Sequence, residues 1–334
     1  MDVKNYSNLT VSSSPHLVTK LDTQKTMMWV LIALCPSLIV STVIYGPRVI
    51  LLTAVCVISC MLFELAYEKP MKKPETVKDL SAAVTGTLIA FNLPVTFPFW
   101  MALIGCFVAI VLVKQLYGGL GRNFANPAIV ARIVLLVSFG TQMTSWAVPE
   151  RFGLGTADVV TGATPLAILG EGGTFAELPG LKEMFIGTIG GSLGEVSSIA
   201  LIIGGCILIW KKIISPATPV AFIGTVFVFA LLYYAANPVA GASAIQMALF
   251  HILAGGVMLG AIFMATDYVT SPIMPLGKVI MGIGCGIFTM VIRLFAGYPE
   301  GVSFSILLMN IATPLIDMLC LRITYGGGAK KDEQ

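Results

Sequence analysis

Met27-Met28-Trp29-Val30-Leu31-Ile32-Ala33-Leu34-Cys35-Pro36-Ser37-Leu38-Ile39-Val40-Ser41-Thr42-Val43-Ile44-Tyr45 carries no charged side chain. Its length is close to the ~20 residues an α-helix needs to cross a bilayer. A run of this kind reads as a membrane span, and the chain repeats it. Residues are 57% hydrophobic and 11% charged, with a mean hydropathy of +0.91. Soluble domains are nearer ~25% charged. The chain is therefore expected to be an all-α integral membrane protein, since only helices and closed barrels satisfy their backbone in lipid.

Ten apolar runs fall at 27–45, 49–67, 80–93, 97–117, 128–148, 196–214, 219–236, 244–265, 278–296 and 302–321. They predict ten transmembrane helices in two halves of five, residues 27–148 and 196–321. An extracytoplasmic loop (149–195) separates the halves, and an arm (1–26) and a tail (322–334) flank them. The first run follows a polar arm, spans fully and lacks a small-residue cleavage site, so it reads as an uncleaved helix. An odd number of spans per half predicts inverted repeats, an arrangement of many carriers. The third run ends in Asn92-Leu93-Pro94 and the eighth in Thr266-Asp267-Tyr268-Val269-Thr270-Ser271-Pro272, as broken spans do, although loop chemistry alone also accounts for them.

Basic residues set the expected orientation. Lys69, Lys72, Lys73, Lys78, Lys114, Arg122, Lys211, Lys212, Lys278, Arg322, Lys330 and Lys331 fall in alternate connections, with Lys4, Lys20 and Lys25 in the arm. By the positive-inside rule both termini are cytoplasmic, in a bacterial inner membrane, and the 149–195 loop faces outward. A net charge of +3 gives no reason to expect a nucleic-acid partner.

Within that loop lies Asp158-Val159-Val160-Thr161-Gly162-Ala163-Thr164-Pro165. A hydroxyl following two small residues is expected to be accessible to a modifying enzyme, and Thr164 is the residue so displayed. A second polar stretch, from Gly118 and Gly119 through Arg122 to Asn126, opens the fifth run. Asn126 is suited to cap that helix and Pro127 to its first turn. The glycines make a tight turn or let a ring or phosphate reach free amides.

Glu64, Arg132, Arg293 and Asp317 lie near membrane depth, where ionisable residues default to functional candidates. His251 reads as an interhelical hydrogen-bond partner or a proton relay. No CxxC pair exists among the seven cysteines. Cys56 and Cys60 share a helix face and could hold a cluster with another polypeptide, but buried cysteine is also ordinary packing. No metal site is expected.

Taken together, these residues resemble the D subunits of Rnf-type ferredoxin:NAD oxidoreductases and the B subunits of sodium-pumping NADH:quinone oxidoreductases. The likeness runs through Ser14-Pro15-His16, Ala83-Val84-Thr85-Gly86, Gly118-Gly119-Leu120-Gly121, Asn126-Pro127-Ala128, Phe263-Met264-Ala265-Thr266-Asp267 and Asn310-Ile311-Ala312-Thr313-Pro314. Most specific is Asp158 with Thr161-Gly162-Ala163-Thr164, which matches a flavinylation motif. The short arm is closer to the Rnf-type relatives.

The resemblance implies FMN joined to the Thr164 hydroxyl through a phosphoester, installed by a flavin transferase. In it Asp158 and Thr161 orient the turn, and Gly162 and Ala163 leave room. It further implies a non-covalent riboflavin near Gly118, Gly119, Arg122, Asn126, Thr266, Asp267 and Thr270. Expected partners are an outer-face flavoprotein, iron–sulfur subunits and other membrane subunits, in a complex that moves sodium or protons. No residue of this chain is expected to be catalytic itself. The competing class is a small-solute transporter or channel on the same five-plus-five plan, which would carry no flavin.

Overall fold

The computed structural model describes residues 22–73, 75–147, 161–162, 164–170, 178–187, 190–239, 241–296 and 301–325. The Ser14-Pro15-His16 arm, Asp158, Ala163 and the tail beyond 325 lie outside the described residues, and Thr161 and Gly162 are described as backbone only.

Every apolar run contains helix. In the first half these are α1 (Thr23–Tyr45), α2 (Arg48–Glu68), α3 (Ser81–Phe91), α4 (Phe99–Gln115) and α5 (Pro127–Ser138). A short turn, α6 (Gly140–Met143), and a two-residue pair of strands follow, β1 (Trp146–Ala147) against β2 (Thr161–Gly162), antiparallel. Two short helices, α7 (Pro165–Gly170) and α8 (Leu181–Ile186), lead into the second half. That half comprises α9 (Ser198–Trp210), α10 (Ala217–Ala236), α11 (Ala244–Leu253), α12 (Val257–Met264), α13 (Pro275–Phe295) and α14 (Val302–Tyr325).

Among the described residues, α1, α2, α10, α13 and α14 are each long and apolar enough to cross a membrane. A sixth candidate is the pair α11 and α12, bent by 63° at the break between them. The helices α3, α4, α5 and α9 are shorter. The expected continuous span at 244–265 is thus two half-helices, and the expected span at 128–148 ends as helix at Ser138. Phe139 leaves helical geometry there, with φ −131° and ψ 47°, and only the single helical turn Gly140–Met143 follows it.

Local chemistry starts the helices where the sequence allows. Asp22 accepts from the Thr23 amide at 2.8 Å to open α1, and Asn126 accepts from the Ala128 amide at 3.0 Å to open α5, with Pro127 at its first position. Ser243 and Gln246 form a reciprocal capping box at the start of α11. Side chains that accept from free amides hold helix starts at about 1 kcal/mol each.

Small residues bring the helices together. A Cβ on Gly86 of α3 would sit 2.7 Å from the Val57 Cα of α2. Gly282 and Gly286 of α13 lie against the α10 backbone, where a Cβ on Gly282 would be 2.7 Å from the Thr218 carbonyl oxygen. This is small-residue packing of the membrane type, in which close van der Waals contact replaces the hydrophobic driving force.

The 149–195 loop is not wholly peripheral. Residues 192–196 are buried, and the Leu193 and Gly194 amides donate to the Leu93 and Phe91 carbonyls at 3.1 and 2.8 Å. Ser41 of α1 donates to the Leu193 carbonyl. The end of the loop therefore plugs against the C-terminus of α3.

Candidate functional site

Thr164 is the N-cap of α7. Its Oγ1 accepts from the Ala167 amide at 3.1 Å, its carbonyl accepts from the Ile168 amide at 3.0 Å, and Pro165 follows as the first helical residue. Proline suits that position because its missing N–H would have no helical partner. Only 7% of Thr164 is exposed, which overturns the expectation of an accessible hydroxyl. Capping turns the hydroxyl inward, and Leu166 of the same turn inserts into the core.

The crevice beside Thr164 is lined by Leu166, Gly190, Gly191, Glu195, Val196 and Gly255. Glu195 is buried and pairs with Arg132 of α5, Nη1 to Oε1 at 3.3 Å. Arg132 Nη1 also donates to Asn92 Oδ1 at 2.6 Å, and Asn92 Nδ2 donates to the Leu88 carbonyl at 2.6 Å. The end of α3, α5 and the loop plug thus meet in one polar cluster. Burying both charges is tolerable because each is paired and hydrogen-bonded.

The break between α11 and α12 faces this cluster. Gly255 has φ +65°, and a Cβ there would be 2.9 Å from both Arg293 Nη2 and Leu166 Cδ1. A Cβ on Gly256 would be 2.5 Å from Glu195 Oε1. The Gly255-Gly256 pair therefore lets the chain turn while Glu195 approaches the start of α12. Arg293 of α13 closes the other side, donating from Nη1 to the His251 carbonyl at 2.6 Å and from Nη2 to the Ala254 carbonyl at 2.8 Å. Those are carbonyls that the break leaves without helical partners.

Beyond Leu166 opens a cleft of about 280 Å³, lined by Leu166, Leu169, Tyr233, Tyr234, Asn237, Val239, His251, Arg293 and Leu294. His251 Nε2 lies 3.0 Å from the Tyr234 hydroxyl and the two rings stack at 5.4 Å. His251 Nδ1 and Arg293 Nε are buried without a hydrogen-bond partner among the described residues.

The second predicted set divides. Asn126, Thr266 and Asp267 line one cleft with Lys114, Ser81 and Asn123. Gly118, Gly119, Arg122 and Thr270 are not on its walls. Gly118 and Gly119 have φ of +118° and +93°, so the backbone of the turn itself requires glycine. Thr270 donates to Asp267 Oδ2 at 3.1 Å, and its carbonyl accepts from Thr313 Oγ1 at 2.9 Å. Burial pushes the Asp267 carboxyl pKa up, while hydrogen bonds from Thr270 and the Val269 and Tyr268 amides oppose it. This cleft encloses about 80 Å³.

The remaining charged candidates have partners. Glu64 Oε1 accepts from Lys114 Nζ at 2.5 Å and Gln115 Nε2 at 3.0 Å, and Glu68, one turn on, accepts from Gln115 Nε2 at 3.2 Å and from Thr76. Lys114 is 1% exposed, so it is a buried partner and not the loop charge that the sequence led us to expect. The last turns of α4, Val108–Gln115, are π-helical and carry Lys114 and Gln115 to Glu64. Asp317 Oδ1 accepts from the Ile273 amide at 3.2 Å. Cys56 and Cys60 are buried, with Cys106 Sγ 3.7 Å from the Cys56 carbonyl, and no group of three metal-ligating side chains occurs among the described residues.

Sequence reasoning missed Glu195 and Glu68. Glu68 stands four residues after Glu64, which places both on one helix face. Glu195 is the only acidic residue between Glu183 and Asp267, a signal the loop assignment obscured.

The model of the NQR2, RnfD, RnfE family matches residues 10–326. The chain is 48% identical to the D subunit of the Na(+)-translocating ferredoxin:NAD(+) oxidoreductase complex of Acetobacterium woodii, over 96% of this chain and 96% of that one. It is 40% identical to the D subunit of the proton-translocating ferredoxin:NAD(+) oxidoreductase complex of Clostridium ljungdahlii, over 95% and 96%. It is 37% identical to the D subunit of the ion-translocating oxidoreductase complex of Ectopseudomonas mendocina, over 94% and 95%.

Proposed function

The chain belongs to the NQR2, RnfD, RnfE family, as a membrane subunit of an ion-translocating oxidoreductase complex, and on that premise we propose that it carries electrons through FMN esterified to Thr164. Bound there, the flavin supplies the redox chemistry that no side chain of this protein has. The observation that carries the reading is the Asp158/Thr161-Gly162-Ala163-Thr164 motif ending at a threonine seated on a helix break beside buried charges.

The residues around Thr164 fit the group in a specific way. The crevice at Thr164 itself is too small for the ring system, whereas the cleft past Leu166 approaches the roughly 300 Å³ of small ligand pockets. Arg132 and Arg293 offset the negative charge that a phosphodiester brings close to Glu195. In the motif, Gly162 and Ala163 leave room beside Thr164, Thr161 offers a nearby hydroxyl, and Asp158 orients the turn for the transferase. A non-covalent riboflavin beside Asn126, Thr266 and Asp267 is part of this proposal, and no step is assigned to it on this chain.

In this reading the ten apolar helices all cross the inner membrane as two inverted repeats, both termini are cytoplasmic, and Thr164 faces outward toward a flavoprotein partner. Iron–sulfur and further membrane subunits complete the electron path, and the coupled ion is sodium or a proton. Purified polypeptide run on a denaturing gel is expected to fluoresce as flavin, and Thr164→Val to remove the signal. Fluorescence persisting in that variant refutes the assignment, and its absence from the unaltered chain leaves the solute-transporter class standing.

A further inference from the structure

We propose that Lys211 and Lys212, with Trp29 and Trp210 beside them, bind the phosphate headgroup of an anionic phospholipid where α1 and α9 reach the edge of the membrane. This site is independent of the flavin on Thr164 and of which way the chain is oriented.

The seam between the two helices fixes the first charge. Gly204 of α9 packs against the Ala33 carbonyl of α1 with no room for a Cβ. One turn before Ala33 stands Trp29, and at the end of α9 stand Trp210 and Lys211. Lys211 Nζ lies 4.4 Å from the Trp29 ring centroid and 4.5 Å from that of Trp210. Both indole faces attract the ammonium, so a charge on a long flexible stem is tied to this one place. Trp210 itself is 77% exposed. An indole so placed suits the headgroup layer, where its apolar ring and its N–H are both accommodated.

The end of α9 places the second charge, and does so under strain. The Lys212 amide donates to the Ile209 carbonyl and the Ile213 amide to the Leu208 carbonyl, both at 2.9 Å. That is a Schellman closure, whose left-handed residue is usually glycine. Here it is Lys212, with φ +57°. A Cβ is disfavoured at that angle, and glycine would close the helix without the penalty. Strain held in this way marks positions where the side chain is used.

The two adjacent ammoniums form no ion pair with a carboxylate among the described residues. Side by side they repel, and an anion relieves that repulsion. Phosphate oxygens accept charge-assisted hydrogen bonds from both. The surface around them selects a lipid over a free phosphate. Toward the membrane interior, Met28 and Ile32 of α1 and Ile203 and Ile209 of α9 are exposed. A phospholipid matches both parts, its acyl chains on the apolar side chains and its headgroup on the lysines, whereas inorganic phosphate matches only the lysines.

The test uses the full chain in its complex, reconstituted in phosphatidylcholine nanodiscs that contain brominated phosphatidylglycerol or brominated phosphatidylcholine, with quenching of tryptophan emission as the readout. Phosphatidylglycerol is expected to quench the unaltered protein at the lower mole fraction. That preference is expected to fall about fivefold in Lys211→Gln and again in Lys211→Gln/Lys212→Gln, the weight of one basic residue near an anionic surface. Lys212→Gly separates binding from folding: with the strain relieved it is expected to unfold no earlier than the unaltered protein, yet to lose the same fivefold. It decides the matter if the glutamine variants do not fold. Equal quenching by the two lipids in the unaltered complex, or a preference that survives in Lys212→Gly, overturns the site. A preference abolished by millimolar inorganic phosphate overturns the lipid assignment in favour of a free anion.

Discussion

Replacing Lys114 with Met isolates what the buried charges at the end of α2 contribute. Glu64 is 0% exposed and Lys114 1%, and their atoms approach to 2.5 Å. Removing the cation leaves Glu64 with neutral donors only, Gln115 at 3.0 Å and Thr76 at 3.1 Å. Neutral hydrogen bonds return about 0.5–1.5 kcal/mol each, whereas an orphaned buried charge costs about 3–5 kcal/mol. Glu64 Oε2 already has no partner among the described residues, and Glu68 sits one turn away, so the loss lies at the upper end of that range. The double variant Lys114→Met/Glu64→Gln removes the charge as well as its partner and is expected to recover at least half of the stability. Unfolding by SDS titration in mixed micelles measures all four corners of the cycle. If the two single effects add in the double variant to within roughly 0.5 kcal/mol, the pair is uncoupled and the reasoning is wrong.

Two further outcomes follow from geometry and protonation. Gly86→Ala places a methyl group 2.7 Å from one backbone atom of α2 and 2.8 Å from another. Overpacking of this kind is expected to cost about 1–3 kcal/mol in the same titration. Asp267→Asn tests the raised carboxyl pKa. A folded-state pKa above the unfolded one means that ionisation opposes folding. That cost is fully present above the folded pKa and disappears as pH falls through it toward the unfolded value of about 3.9. Thermal unfolding is therefore expected to show Asp267→Asn more stable than the unaltered protein at pH 7, with the difference closing toward pH 4; a difference independent of pH contradicts the assignment.

The apolar runs were legible because each is longer than an ordinary strand and several are bounded by Gly or Pro, as at Gly46-Pro47, Pro127 and Gly277. The Asn126 cap was legible on local grounds too. What escaped was long-range. Nothing within the apolar run 244–265 except Gly255-Gly256 marks a 63° bend, since alanine, leucine and valine on either side favour one straight helix. The burial of residues 192–196 depends on hydrogen bonds to carbonyls about a hundred residues earlier. Thr164 was singled out by its motif, while the residues that surround it, Glu195, Leu166 and Gly255, come together only by folding.

The break between α11 and α12 has an implication for how the chain is made. The carbonyls it frees are satisfied by Arg293, which is 42 residues after His251 and 39 after Ala254. A lipid environment penalises every unpaired carbonyl, so the bent form of residues 244–265 is expected to be unfavourable until α13 packs against it and Arg293 takes the two carbonyls. The crevice facing Thr164 is thus expected to form late in assembly.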